Sequence, residues 1–195
     1  MTIAPDDARR DAFLYQAMRD AVERTQDRVP GKLEITKEGI VHDMISPGGP
    51  HELTAAQVSR RMERVMPEHL LAHTGTPDVE DEPEGILRHP DVVVIAWADM
   101  EIEGSFDPRT LIAAIEVVSR SNPDNDWIGK LRDYPLLGIP VYAIFDPRTG
   151  SGAVFSDIHP TPEGPRYATR QDFLYGEDVT IAEWTISTRD LPRYA

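Results

Sequence analysis

The sequence predicts an α/β fold, and three observations point there. ILRHPDVVVIAW, TLIAAIEVVS and VYAIFD are strongly apolar runs of strand length. Between the second and third lies NPDNDWIGKLRDYPLLG, a helical segment closed by Gly138 and Pro140. The order strand, helix, strand reads as a crossover unit whose strands are covered on both faces.

In chain order, residues 6–27 (DDARRDAFLYQAMRDAVERTQD) place Phe13, Leu14, Ala17, Met18, Ala21 and Val22 at helical spacing, and Asp6 or Asp7 can cap the first turn. LEITKEGIVHDMI alternates apolar and polar residues about Glu38-Gly39, which predicts two short strands and a turn. After the Pro- and Gly-rich SPGGP, HELTAAQVSRRMERVMP carries Leu53, Ala56, Val58, Met62 and Val65 as a helix that Pro67 ends. DVEDEPEG reads as an exposed acidic loop. The three apolar runs follow, and from GSGAVFSD to VTIAEWTI the tail reads as a hairpin with short additional strands. No internal repeat or linker interrupts the pattern, so the 195 residues are expected to form one domain.

Composition narrows function by exclusion. With no cysteine, disulfides and thiolate metal sites are ruled out. MTIAPDDARRDAF lacks the apolar core of a signal peptide, and no run approaches the ~20 apolar residues of a membrane span. A soluble, cytoplasmic protein with no membrane partner is expected. Twenty basic residues against 34 acidic ones leave a net charge of −14, which argues against a surface that grips nucleic acid by neutralising phosphates. Such a chain can still act on a polyanion through bound divalent cations, through oligomerisation, or by gathering its few basic residues on one face, as Arg60, Arg61 and Arg64 do on one short helix.

Glu116 is the residue that calls for explanation. It stands among Ile112, Ala113, Ala114, Ile115, Val117 and Val118, and a lone buried carboxylate is costly unless it is paired or binds metal. An ion pair with Arg or Lys is one answer. A metal site is the other, because two hard carboxylates from adjacent strands suit Mg²⁺, which takes one or two such ligands and completes its shell with water and phosphate. Asp91 supplies the second carboxylate: Pro90 cannot donate to a sheet ladder, so Asp91 starts its strand, where a plain capping role is the rival reading. Lys130, on the helix that follows the Glu116 strand, is either a solvated helix lysine or a cation able to reach over that strand.

HPDVVVI followed by IEVVSRSNPDNDWIGKLRDYPLLGIPVYAIFDP resembles the Uma2-like restriction endonuclease family, a branch of the PD-(D/E)XK nuclease superfamily. The matching positions are Pro90-Asp91, Glu116-Val117-Val118-Ser119, Lys130 to Tyr134, and Gly138 through Tyr142 to Asp146-Pro147. Upstream, Glu34 and His51 fall where the family tends to have a Glu and a His. The resemblance spans roughly residues 30–150, leaving 1–29 as an N-terminal helical extension and 151–195 as a C-terminal hairpin with short strands. It implies a restriction-endonuclease-like core, a mixed central β-sheet flanked by α-helices, with Asp91, Glu116 and the Val117 carbonyl binding Mg²⁺ (or Mn²⁺) and DNA as substrate.

One departure stands out. The superfamily's usual lysine lies two residues after the acid, on the same strand face, and here that slot holds Val118. Lys130 is the expected substitute and Arg120 its rival. The expected reaction is in-line attack of an activated water on phosphorus, with Lys130 orienting or deprotonating the water or offsetting phosphate charge. Three readings follow: a DNA endonuclease, a hydrolase of another phosphate substrate, and a catalytically inactive binding or assembly module in which Glu116 and Lys130 form a buried ion pair. The simplest readings elsewhere are structural: an exposed Glu34, a helix-start hydrogen bond for His51, a packed or solvent-facing His89, a strand-ending turn at Asp146-Pro147, and a Trp127 packed on the sheet.

Overall fold

The computed structural model describes residues 5–43, 49–75 and 77–195, without the side chains of residues 5–8. The Asp6 or Asp7 cap and most of SPGGP therefore lie outside the described residues. The first helix, α1 (Pro5–Thr25), precedes the hairpin β1 (Lys32–Thr36) and β2 (Gly39–Asp43), which turns at Glu38-Gly39 as the alternation predicts. Helix α2 (Gly49–Glu63) leads to β3 (Leu70–Thr74), β4 (Val79–Asp81), β5 (Ile86–Arg88), β6 (Val92–Ala96) and β7 (Ala113–Val117). A π-helical turn, Asn125–Lys130, runs into α3 (Leu131–Leu136), and β8 (Tyr142–Asp146), β9 (Ser151–His159), β10 (Arg166–Leu174), β11 (Asp178–Ile181) and β12 (Trp184–Ser187) complete the chain.

The central sheet has six strands in the order β10-β9-β8-β7-β6-β3. It is mixed: β7 and β8 are parallel, joined by the predicted crossover through α3, and the other pairs are antiparallel. Strand alternation divides the core between its faces. Ala113, Ile115 and Val117 of β7 pack with Val58 and Met62 of α2, while Ala114 and Val118 pack with Tyr134 of α3. Glu116 shares the second face, so the alternation of β7 aims it at α3. This is the α/β arrangement of a mixed sheet flanked by helices that the sequence predicts.

Four expectations change. ILRHPDVVVIAW is two strands: Pro90 has no N–H to donate, the chain bends through His89-Pro90-Asp91, and β5 joins a second, antiparallel sheet of order β2-β1-β5-β4. DVEDEPEG is an exposed loop only at its turn, Glu82-Pro83, because β4 lies within it, Val79 and Asp81 are buried, and the charges of β4 have partners: Glu80 takes Tyr15 and Arg19, and Asp81 takes Arg109 at 2.8 Å. The α1 stripe that meets the second sheet is Tyr15, Met18 and Val22, against Leu33, Ile35 and Leu87, leaving Phe13 and Leu14 exposed. Strand β3, LLAHT, follows Pro67 so closely that the α2 pattern hides it. The tail forms two hairpins, and β9–β10 extends the central sheet to its edge.

Candidate active site

The break at Pro90 sets the site. It leaves Asp91 at the mouth of β6, beside the end of β7, where the Asp91 carboxylate accepts the Val117 N–H at 2.7 Å and the Asp91 N–H points at Glu116 Oε2 at 3.4 Å. The carboxylates of the two strands are thereby locked to each other's backbones. Glu116 is 1% exposed; its Oε2 lies 2.9 Å from Lys130 Nζ, and its Oε1 accepts the Tyr134 hydroxyl.

Lys130 reaches Glu116 because the π-helical turn sets its side chain over the sheet, at the point where α3 begins. Its ammonium is also 3.3 Å from Asp126 and 3.8 Å from both Glu34 and Asp43. Four carboxylates thus surround one buried cation, with Asp91 adjacent. Burial works to strip the Lys130 proton, but Glu116, Glu34 and Asp126 hold its pKa well above the ordinary lysine range. Burial raises the pKa of Glu116 well above the usual carboxylate range and that of Asp126 to about 7. Asp43 moves up for the same reason.

The expected catalytic trio, Asp91, Glu116 and Lys130, thus comes together. His51 joins it: at the start of α2 its Nε2 stands 3.3 Å from Asp91 Oδ2, and the ring also meets the Val117 backbone carbonyl. Burial opposes its charge, but Asp91 raises its pKa to about 9 and His51 in turn helps lower that of Asp91. Arg120 does not enter. Strand β7 ends at Val117, so its alternation no longer aims residue 120, and Arg120 is exposed, donating to the Ala195 carbonyl at 2.7 Å and lying over the Tyr194 ring.

Glu34, expected in solvent, is fully buried. It accepts Arg88 at 2.6 Å, Asn125 at 3.0 Å and the His89 N–H at 3.0 Å, and although burial pushes its pKa up, Lys130 and Arg88 bring it down to about 2. Arg88 also grips Asp133 of α3 at 2.6 Å, so one guanidinium ties the second sheet to the helix that follows Lys130. His89 is buried with its ring 3.0 Å from Asp78, Asp146 ends β8 in a turn, and Trp127 packs on the sheet while donating to Asp146 at 3.3 Å. Asp43, Asp126 and Arg88 are the members that sequence reasoning missed. Two left signals: Asp126 precedes Lys130 by one helical turn, and Arg88 is a charge inside an apolar run, the anomaly that exposed Glu116.

Among the described residues no three His, Asp or Glu side chains surround a common point as a metal centre requires. The donor set at the strand crossing nonetheless suits a small hard cation. Asp91 and Glu116 bring two carboxylates together there, and more acids than cations gather around Lys130, although both Glu116 oxygens are already engaged by Lys130 and Tyr134.

Known proteins bear on the fold and the family. The chain resembles a crystal structure titled as a putative nuclease belonging to DUF820 from Anabaena variabilis, with 16% identity and a TM-score of 0.62, covering 84% of this chain and 93% of that one. At that identity the likeness speaks for the fold. No curated protein matches the chain. The family model described as "Uma2: Putative restriction endonuclease" aligns with residues 18–189, from within α1 past β12, and takes in every residue of the buried acidic cluster. With the family's pattern running through both sheets and the crossing that joins Asp91 to Glu116, the chain belongs to the Uma2 family.

Proposed function

We propose that the protein is a divalent-cation-dependent endonuclease that hydrolyses phosphodiester bonds of DNA. The observation that carries the reading is the convergence of Asp91, Glu116 and Lys130, with Lys130 Nζ 2.9 Å from Glu116 where β6 and β7 meet. Asp91 and Glu116, with the Val117 carbonyl, would hold Mg²⁺ or Mn²⁺. A bound cation of this kind supplies Lewis acidity toward a phosphate oxygen and lowers the pKa of a water.

The chain's own groups do the rest. Lys130, kept charged by its carboxylates, offsets the negative charge that grows on phosphorus as a water oxygen bonds to it and the opposite P–O bond breaks. Its four-acid surround makes it a donor rather than a base, so of the roles open to it charge compensation is favoured. His51 and the Val117 N–H orient Asp91, and Tyr134 orients Glu116.

A plasmid-nicking assay with Mg²⁺ or Mn²⁺ tests the reading. Wild type is expected to nick, and Glu116→Ala and Lys130→Ala to lose activity by about 10²-fold or more, the scale of losing one charge-stabilising group. Nicking that survives unchanged in Glu116→Ala would trace to a contaminant and defeat the proposal.

A second reading has its own observation. Glu116 is closed off, with Lys130 and Tyr134 on its oxygens, as in an inactive module that keeps the fold around a buried ion pair. Under it, wild type does not nick with either cation, and added Mg²⁺ leaves the melting temperature unchanged.

A further inference from the structure

The face of the central sheet that carries Glu116 also carries an open groove toward the β10 edge, with a volume of about 510 Å³. Strand register connects the two. Glu116 pairs with Ile144, Ile144 with Ala153, and Ala153 with Asp172, so Asp172 of the groove stands in the same row as Glu116, three strands away. At ~4.8 Å per strand the separation is roughly 14 Å, about four base steps of 3.4 Å. Trp127, the neighbour of Asp126 on the turn that carries Lys130, forms part of the groove wall.

The lining sets Trp127 and Phe173 among polar residues, and most of its charges are held by partners. The Arg170 guanidinium lies 5.7 Å from the Trp127 ring centre and 5.6 Å from that of Phe155, held by Asp172 at 2.7 and 2.9 Å. Asp146 pairs with Arg148 at 2.6 Å and fixes the Trp127 indole. Glu177 accepts the Leu174 N–H at 2.8 Å. Two of the three carboxylates are thus neutralised by arginines and the third accepts a backbone N–H, so in a chain of net charge −14 this wall repels a phosphate less than bare acids would.

We propose that this groove seats one or two unpaired bases of single-stranded DNA flanking the bond to be cut, stacked on Trp127 with Arg170 beside them. This rests on the nuclease reading above. The volume is that of a small-molecule pocket, room for bases taken one or two at a time. A half-buried indole with an adjacent guanidinium is the platform that sequence-tolerant single-strand binding uses.

Fluorescence anisotropy with a labelled oligothymidylate and with a labelled duplex, in EDTA so that nothing is cut, tests it. Trp127→Ala should weaken single-strand binding about tenfold or more, Arg170→Ala several-fold, and Trp127→Phe little, with duplex affinity unchanged in all three. Because Trp127 also packs on the sheet, a second measurement reads intact protein: the oligonucleotide should quench tryptophan emission in wild type and not in Trp127→Phe. Equal single-strand affinity in wild type and Trp127→Ala, or no single-strand binding by wild type, overturns the proposal. The two readings fail separately. Nicking that needs Glu116 alongside Trp127-independent binding sinks the groove alone, whereas Trp127-dependent binding by a protein that cuts neither plasmid nor single-stranded DNA with Mg²⁺ or Mn²⁺ leaves the groove and removes the nuclease.

Discussion

At the scale of single residues, the acidic cluster is stabilised by cations that cannot be removed one at a time. Arg88 satisfies Glu34 and Asp133 together in a place where none of the three reaches solvent. Arg88→Met should therefore destabilise the fold by about 3–5 kcal/mol in urea unfolding, the cost of leaving buried charges without a partner. Adding Glu34→Gln to it should recover part of that loss. Protonation offers a second check. Burial raises the pKa of Asp126 to about 7, so the folded state binds that proton more tightly than the unfolded chain. Its contribution is fully present below about pH 4 and is lost as pH rises toward 7. Glu34 runs the other way: held at about 2, it contributes above about pH 4.5 and loses that contribution as pH falls toward 2. In metal-free buffer Asp126→Asn should reduce the slope of the stability curve between pH 4 and 7, where the raised Glu116 and Asp43 also contribute, and leave the acid limb in place. A wild-type slope over that range that Asp126→Asn does not change would contradict the assignment.

At the scale of elements, the site depends on strands meeting in one register. Gly152 of β9 sits where a Cβ would come 2.2 Å from the Ile144 carbonyl and 2.3 Å from the Phe173 ring. Backbone cannot move aside as a side-chain tip can, so Gly152→Ala should cost about 3 kcal/mol or more and loosen the β8–β9 pairing, read as a lower melting temperature and faster amide exchange in β8. A variant that melts like wild type would mean that β9 shifts freely. The same scale shows where sequence reading stops. The crossover β7–α3–β8 and the β1–β2 hairpin were legible because apolar pattern and turn chemistry are local. The split at Pro90, the burial of β4 and the partnership of β5 with β1 were not, because a strand's neighbour is chosen by distant residues.

At the scale of the whole molecule, the charge of −14 sets how DNA can be held. Of the three arginines expected on one helix, Arg60 and Arg61 lie on α2 and Arg64 falls in the turn after it; Arg61 is engaged by the Ser187 carbonyl and Gln57, which leaves Arg60 and Arg64 exposed. With acidic residues outnumbering basic ones by 14, DNA affinity should fall only gently with salt, at a slope of log K against log[salt] no steeper than about −3. A slope near −6 would mean that the basic residues gather on one face despite the net charge. Among the described residues no helix is long and apolar enough to cross a membrane. The sequence by itself determined the α/β class and the parallel crossover, and it singled out Asp91 and Glu116, because a proline before a strand and a carboxylate in an apolar run are anomalies visible without a fold, with Lys130 added by its place on the next helix and by the family resemblance. Only the tertiary structure decided that Glu34, Asp43 and Asp126 share Lys130, that Lys130 rather than Arg120 meets Glu116, that His51 attends Asp91, and that Arg88 binds the two layers. Each of those contacts joins residues from different elements, and the free energy of a buried charge depends on partners that only packing brings within reach.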